Sequence, residues 1–228
     1  MGKWSAERLA AASGFVFVAL YIVAFFVAGK PPTLSSSNAK VASYFVDHHR
    51  AGLVQAIALG LAVIAFIWFL GSLGAALRKA GEGRLASIAW GGGIVAAGLA
   101  MLATTINAAL FMRVALESPA MAGGLYVLSV TAFTVIGFAI GAVALSTAIA
   151  VWRSKVFPGW YAIVCTVAGI VFVFGGGALV HSGFYSPDGA YSMIVNIVFV
   201  VWMLVTTSLL VQHAAAAEQE APRPVMAH

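Results

Sequence analysis

The densest group of ionisable side chains in the sequence is Asp47-His48-His49-Arg50, just ahead of the second long apolar run. Imidazole and carboxylate groups can bind metal ions or relay protons. Adjacent residues on a helix point about 100° apart, so His48 and His49 are not expected to chelate one ion together. A metal site would need His49 to combine with distant ligands, for which His181 and Asp188 are the weak candidates. The preferred interpretation is a charged anchor at the membrane surface.

The composition determines the class of protein. Hydrophobic residues make up 62% of the chain and charged residues 8%, and the mean hydropathy is +1.02. An ordinary soluble domain has about 25% charged residues, so this composition indicates an integral membrane protein. The net charge of +5 favours lipid headgroups as the partner, and no nucleic-acid partner is expected.

Six apolar runs are long enough to cross a bilayer as helices, because a hydrocarbon core of about 30 Å needs roughly 20 residues. No segment alternates apolar and polar residues as a membrane strand would. The sequence therefore predicts an all-α, polytopic membrane helical bundle. The predicted spans are Leu9 to Gly29, Ala51 to Leu77, Leu85 to Met112, Gly124 to Trp152, Pro158 to Val180 and Ala190 to Val211.

The loops predict the orientation of the bundle. With both termini inside, eight lysines and arginines lie on the cytoplasmic side and four on the outer side, as the positive-inside rule requires. The short basic turns 78–84 and 153–157 fit cytoplasmic hairpins. We therefore expect a multi-pass protein of a bacterial plasma (inner) membrane, with one transmembrane domain over 1–213 and a disordered cytoplasmic tail over 214–228.

The first outer loop is expected to contain a short amphipathic helix. Pro31 and Pro32 stop the first span, and the polar run 35–38 supplies helix N-caps. Apolar and amphipathic side chains then recur every three or four residues, which predicts a helix lying at the outer interface. Its predicted inner face is formed by Val41, Ala42, Tyr44, Phe45, His48 and His49.

A second set of candidates consists of polar side chains near the outer ends of the spans. Gln55, Asn107, His181 and Asn196 come from different spans but should lie within about 10 Å of the outer boundary. Two alternatives are open: a ligand pocket beneath the segment from Tyr44 to Arg50, or interhelical hydrogen bonds that need no ligand. The candidate ligand-binding residues are therefore Gln55, Asn107, His181, Asn196, Tyr44 and Arg50.

Glycines suggest where helices approach closely. Gly137 and Gly141 form a G-x-x-x-G pair, which predicts either packing within the bundle or a dimer seam. The triplet 175–177 predicts either close packing or a hinge below His181.

The layout also resembles a family of uncharacterised six-helix membrane proteins from high-GC bacteria. In that family a Pro-containing outer loop leads to a Tyr-Tyr or Tyr-Phe segment ending in His-Arg, followed by a W-F-L-G-x-L-x-x-x-L-R helix end. The matching residues here are Pro31, Pro32, Tyr44, Phe45, His49 and Arg50, then 68–78. The resemblance implies a fold and a plasma-membrane location, and it brings no activity or catalytic residues.

Three classes of function remain open. We favour a non-catalytic membrane protein, an accessory subunit or a sensor of lipid or a small ligand, because no acidic or basic residue lies well inside a span and no catalytic constellation can be assembled. The first alternative is a carrier for a neutral or apolar solute through an outward-facing polar cavity. The second is a haem- or metal-binding redox protein using His49 and His181. We assign no cofactor and no catalytic residue, and expect membrane lipid, a second copy or a membrane protein as partner.

Overall fold

The computed structural model describes residues 5–220, which are helical over most of their length. These residues form eight α-helices and one π-helical turn, and no strand occurs among them. The helices are α1 (Ala6–Val27), α2 (Asn38–Asp47), α3 (His49–Lys79), α4 (Gly83–Ala109), α5 (Ala115–Glu117), α6 (Pro119–Ser154), α7 (Gly159–Gly176) and α8 (Ala190–Glu220). A π-helical turn, Leu110–Val114, joins α4 to α5, so that Gly83–Glu117 is one continuous segment.

Six of the segments are long and apolar enough to span a membrane, which confirms the predicted all-α bundle. Each of these helices packs on the next in the chain, and α8 returns to α1, so the six form a closed ring. The outside of the ring carries large exposed apolar side chains, among them Phe26 at 71% and Trp68 at 61%. Such a surface suits lipid and would be costly in water.

Local sequence signals explain where the helices begin and end. Ser5, Ser37 and Ser118 cap α1, α2 and α6, and in each case the hydroxyl accepts a hydrogen bond from the amide three residues later. Pro119 follows in the first turn of α6, where its missing N–H costs nothing. The short helix α2 is the predicted amphipathic helix of the first outer loop.

Aromatic rings fill the interior of the bundle at the level of Trp202. This residue of α8 is 1% exposed, and its ring centroid lies 5.9 Å from that of Phe172, 6.4 Å from Phe199 and 6.5 Å from Phe69. The Trp202 indole also donates a hydrogen bond to the sulfur of Cys165 at 3.4 Å. The lone cysteine is therefore a packed core residue.

The Gly137/Gly141 pair packs inside the chain. A Cβ atom added at Gly137 would lie 2.5 Å from both the backbone nitrogen of Gly176 and the carbonyl oxygen of Phe172. Likewise, a Cβ at Gly141 would meet the carbonyl oxygen of Gly169 at 3.3 Å. Of the two roles left open for this pair, the structure uses it to bring the backbones of α6 and α7 together.

The fifth span is shorter than predicted. The helix α7 ends at Gly176, and the backbone turns away over 177–178 instead of continuing to Val180. Three successive glycines account for this end, because each weakens a helix by about 1 kcal/mol relative to alanine. As a result His181 lies in the loop between α7 and α8 and not at a helix end.

At the end of the bundle opposite α2, ion pairs join the helix termini. Lys79 pairs with Glu7 at 3.1 Å and Arg153 with Glu82 at 3.2 Å. The last helix continues through Glu220 instead of fraying after 213, because its alanine-rich end favours helix and Glu218 contacts Arg8. The rest of the predicted tail, 221–228, lies outside the described residues.

Candidate functional site

The α2 helix forms a cap over one end of the bundle, which we call the α2 cap and define as residues 28–48. Val41, Ala42 and Phe45 are 3%, 6% and 2% exposed. The Phe45 ring packs against Phe111 at 4.6 Å and against Tyr126 at 5.8 Å, measured between ring centroids. These contacts give the cap a small hydrophobic core separate from the main one, so the cap is a packed structural element.

Two tyrosine hydroxyls fix the non-helical part of the cap. Tyr44 donates to the carbonyl oxygen of Ala28 at 3.0 Å, and Tyr126 of α6 donates to that of Pro32 at 2.5 Å. Burial raises the pKa of the Tyr44 hydroxyl, which therefore stays protonated and keeps donating. Both hydrogen bonds hold carbonyl groups that the chain cannot satisfy within a helix.

The third loop of this end also holds the cap. The backbone N–H of Leu34 donates to the Asp188 carboxylate at 3.1 Å, and the Ser186 hydroxyl donates to the other oxygen at 2.7 Å. Partial burial alone would raise the pKa of Asp188, but these hydrogen bonds outweigh it and the pKa lies below its ordinary value. Asp188, a weak metal candidate in the sequence, is thus engaged as a loop acceptor.

An open groove of about 380 Å³ lies between the chain leaving α1 and the polar face of α2. Two cationic side chains, Lys30 and Lys40, line it together with a single carboxylate, Asp47. Within residues 5–220 neither lysine makes an ion pair. The groove is lined by Lys30, Pro31, Pro32, Thr33, Lys40, Ser43, Tyr44, Asp47 and His48.

The two adjacent histidines have different surroundings, as their spacing predicted. The His48 ring stacks on Tyr44 with centroids 4.6 Å apart, and its Nδ1 lies 3.0 Å from the Tyr44 carbonyl oxygen. His49 begins α3, and its Nδ1 lies 2.6 Å from the carbonyl oxygen of Phe111. His48 belongs to the groove, whereas His49 ties α3 to the π-turn.

The π-turn explains why a carbonyl is available to His49. A π-turn shifts the regular ladder of backbone hydrogen bonds, and such turns frequently occur at functional sites. Phe111, the second residue of the turn, packs so closely on Gly52 that a Cβ atom added to that glycine would overlap the ring. Asn107 lies in the last turn of α4, just before the π-turn, and its Oδ1 is buried without a hydrogen-bond partner among the described residues.

The remaining polar candidates do not gather around one cavity. Gln55 of α3 donates to the carbonyl oxygen of Ala24 in α1 at 2.8 Å, and Asn196 of α8 accepts from the hydroxyl of Tyr21. Both amides thus make interhelical bonds to α1, at separate places. His181 lies exposed in the α7–α8 loop, near enough to Asp188 to lower that carboxyl pKa.

Arg50 is exposed and does not line the groove. Of the six predicted ligand-binding residues, only Tyr44 does. Over residues 5–220, no group of three or more histidine, cysteine, aspartate or glutamate side chains is arranged to hold a metal ion. His49 contacts the Phe111 carbonyl oxygen, whereas His181 lies near Asp188, so the two histidines have different neighbours.

The sequence interpretation did not select Lys30, Thr33, Lys40 or Ser43 as binding residues. A signal for part of this set was present, because Lys40, Ser43 and Asp47 recur at three- and four-residue spacing. Together they form the polar face of the amphipathic helix, opposite the apolar face formed by Val41, Ala42 and Phe45.

A second groove of about 490 Å³ lies at the opposite end, lined by residues 81–85, Ile88 and Arg153. Of its two arginines, Arg153 pairs with Glu82, which is 12% exposed, so Arg84 is its single cation without an ion pair among residues 5–220, against two such lysines in the α2-cap groove. The α2-cap groove is therefore the stronger candidate for binding an external anion.

Comparison with known proteins adds no further constraint on the site. No family model matches the chain, and it has no significant similarity to a curated protein or to a solved structure.

Proposed function

We propose that this chain is a non-catalytic membrane protein that binds a ligand at the α2 cap and acts as a sensor or an accessory subunit. The observation that carries the proposal is the groove between Lys30 and α2, where two lysines without an ion pair among residues 5–220 stand on the packed α2 cap. By the positive-inside distribution the groove faces outward, and by the family resemblance the membrane is the bacterial plasma membrane.

Two features favour binding over transport. Packed aromatic rings around Trp202 occupy the place where a carrier would need a solute path. Furthermore, the α2 cap has a hydrophobic core of its own, and a surface segment held in place by packing is a common location for binding residues.

Site-directed photo-crosslinking tests the proposal in intact cells. A photoreactive amino acid at Ser43 points into the groove, and one at Val46, which is 40% exposed on the same helix outside the groove lining, is the matched control. We expect a defined adduct, small molecule, lipid or protein, from the Ser43 position and a different or absent adduct from Val46.

The same adducts from both positions would contradict the proposal, because they would report only the bulk surroundings of α2. No adduct at Ser43 would contradict it as well. A crosslink to a second copy or to another membrane protein at Ser43 alone would support the accessory-subunit form of the function.

A further inference from the structure

We propose that the groove binds the phosphate group of a phospholipid headgroup at the outer membrane surface. This inference rests on the proposed function, since it names the ligand of the same groove. The groove combines two lysines with the hydroxyl groups of Thr33 and Ser43 and the His48 imidazole. Two ammonium groups around one opening suit a phosphate, which offers several acceptor oxygens. The Ser43 hydroxyl donates to the Lys40 carbonyl oxygen at 3.0 Å and the Thr33 hydroxyl contacts that of Ser35 at 3.0 Å, so a ligand would have to replace these partners to use them.

The donors are held in place before any ligand arrives. Lys30 precedes Pro31 and Pro32, whose restricted backbone fixes the direction of the chain, and the Pro32 carbonyl is anchored by Tyr126. On the other side, Lys40 and Ser43 stand on α2, whose buried face is packed on the π-turn and α6. A pre-formed site loses less entropy on binding.

The His48 ring is also held in one orientation at the edge of the groove. Its Nδ1 faces the Tyr44 carbonyl at 3.0 Å, and this contact is a hydrogen bond when Nδ1 carries the proton. The ring is held further by stacking on Tyr44. Its Nε2 lies beside Gly29, 3.8 Å from where a Cβ of that residue would stand.

The depth of the groove favours a lipid over a soluble anion. Lys30 comes three residues after α1 ends at Val27. On the last turns of that helix, Val23 and Phe26 are 51% and 71% exposed. An apolar helix surface directly below a cationic groove can contact acyl chains while the lysines contact the phosphate.

Asp47 restricts the headgroups that fit. Its carboxylate lies in the same groove as the two lysines and accepts hydrogen bonds but donates none at neutral pH. A headgroup that carries an ammonium or hydroxyl group beyond the phosphate can satisfy both signs of charge. We therefore expect phosphodiester headgroups of that kind to bind more tightly than phosphatidate.

Ligand-dependent thermal stabilisation tests the inference on the full chain in an uncharged detergent. Phosphatidylglycerol is titrated against wild type, Lys30→Gln, Lys40→Gln and Arg113→Gln. The last variant removes one charge from the same end of the protein but outside the groove. We expect the half-stabilising concentration to rise about fivefold for each groove lysine removed and to stay unchanged in Arg113→Gln.

Two further ligands separate the sources of the phosphate. Diacylglycerol with the same chains lacks phosphate, and glycerol 3-phosphate lacks the chains. We expect no lysine-dependent stabilisation by diacylglycerol and only weak stabilisation by glycerol 3-phosphate. Equal stabilisation of all variants by phosphatidylglycerol would overturn the inference. Glycerol 3-phosphate binding as tightly as the lipid would overturn the assignment to a lipid and indicate a soluble phosphate compound.

Failure of this inference can be told apart from failure of the proposed function. If the Ser43 crosslinker captures a ligand without phosphate, the binding function holds and the phosphate assignment is wrong. If it captures nothing above the Val46 control, the binding function itself is wrong.

Discussion

Substitution of Gly137 by alanine should destabilise the bundle by separating α6 from α7. The added Cβ would lie 2.5 Å from two backbone atoms of α7, and it would need about 0.9 Å more to reach the 3.4 Å of ordinary contact. Backbone cannot rotate away as a side chain can, so the helices themselves must move. Overpacking of this kind typically costs about 1–3 kcal/mol.

Gly91→Ala is the matched control, because a Cβ at this position of α4 meets no atom within 4 Å. Alanine gains up to about 1 kcal/mol of helix propensity over glycine, and this gain applies to both variants. We therefore expect Gly137→Ala to be less stable than wild type by up to about 2 kcal/mol and Gly91→Ala to be equal or more stable.

Chemical unfolding in detergent, together with size-exclusion chromatography with light scattering, provides the assay. The expected result for Gly137→Ala is a lower free energy of unfolding at an unchanged oligomeric state. Unchanged stability, or the loss of a dimer with little change in monomer stability, would refute the reasoning. The latter outcome would return this glycine pair to the dimer-seam interpretation.

Three further outcomes are expected. Thr206→Val should lower the free energy of unfolding by about 0.6 kcal/mol, because the Thr206 hydroxyl lies 2.7 Å from that of Tyr161. Thr207→Val should leave the stability unchanged or raise it, because the buried Thr207 hydroxyl has no hydrogen-bond partner in the described chain. Since the pKa of Asp188 is lowered on folding, its contribution to the cap is present above about pH 4 and lost as the pH falls through the folded pKa. Hydrogen exchange at Leu34, corrected for its intrinsic pH dependence, should show this loss in wild type and not in Asp188→Asn. In intact cells, an impermeant thiol reagent should label Ser182→Cys, on the predicted outer side, but not Gly83→Cys, on the predicted cytoplasmic side. Both positions are exposed and the native Cys165 is buried, so the labelling reports the side of the membrane. The reverse pattern would invert the orientation.

The transmembrane helices and the amphipathic helix could be predicted from the sequence because their signals are local. Runs of about 20 apolar residues, the Pro31-Pro32 stop and the serine caps each act within a few residues of the element they define. The end of α7 was missed by four residues, because an apolar run gives no weight to the glycines that end the helix before Val180.

The groove could not be predicted in the same way, because it depends on contacts between segments far apart in the chain. Tyr126 holds the Pro32 carbonyl from 94 residues away, and Asp188 holds the Leu34 amide from 154 residues away. The π-turn is equally invisible in the sequence, although it provides the carbonyl group that His49 binds. Sequence reasoning therefore pointed to the segment 44–50, whereas most of the groove lining lies before it, in residues 30–33, Lys40 and Ser43.

Native mass spectrometry of the mildly solubilised protein tests the central claim most directly. Wild type is compared with the double variant Lys30→Gln/Lys40→Gln, and an absorption spectrum and elemental analysis are recorded on the same samples. We expect wild type to retain one phosphorus-containing lipid that the double variant loses, with no haem band and no stoichiometric metal. An apo mass in both proteins, or a lipid retained equally by both, would contradict the claim. A stoichiometric haem or metal would instead direct attention to His49 and His181.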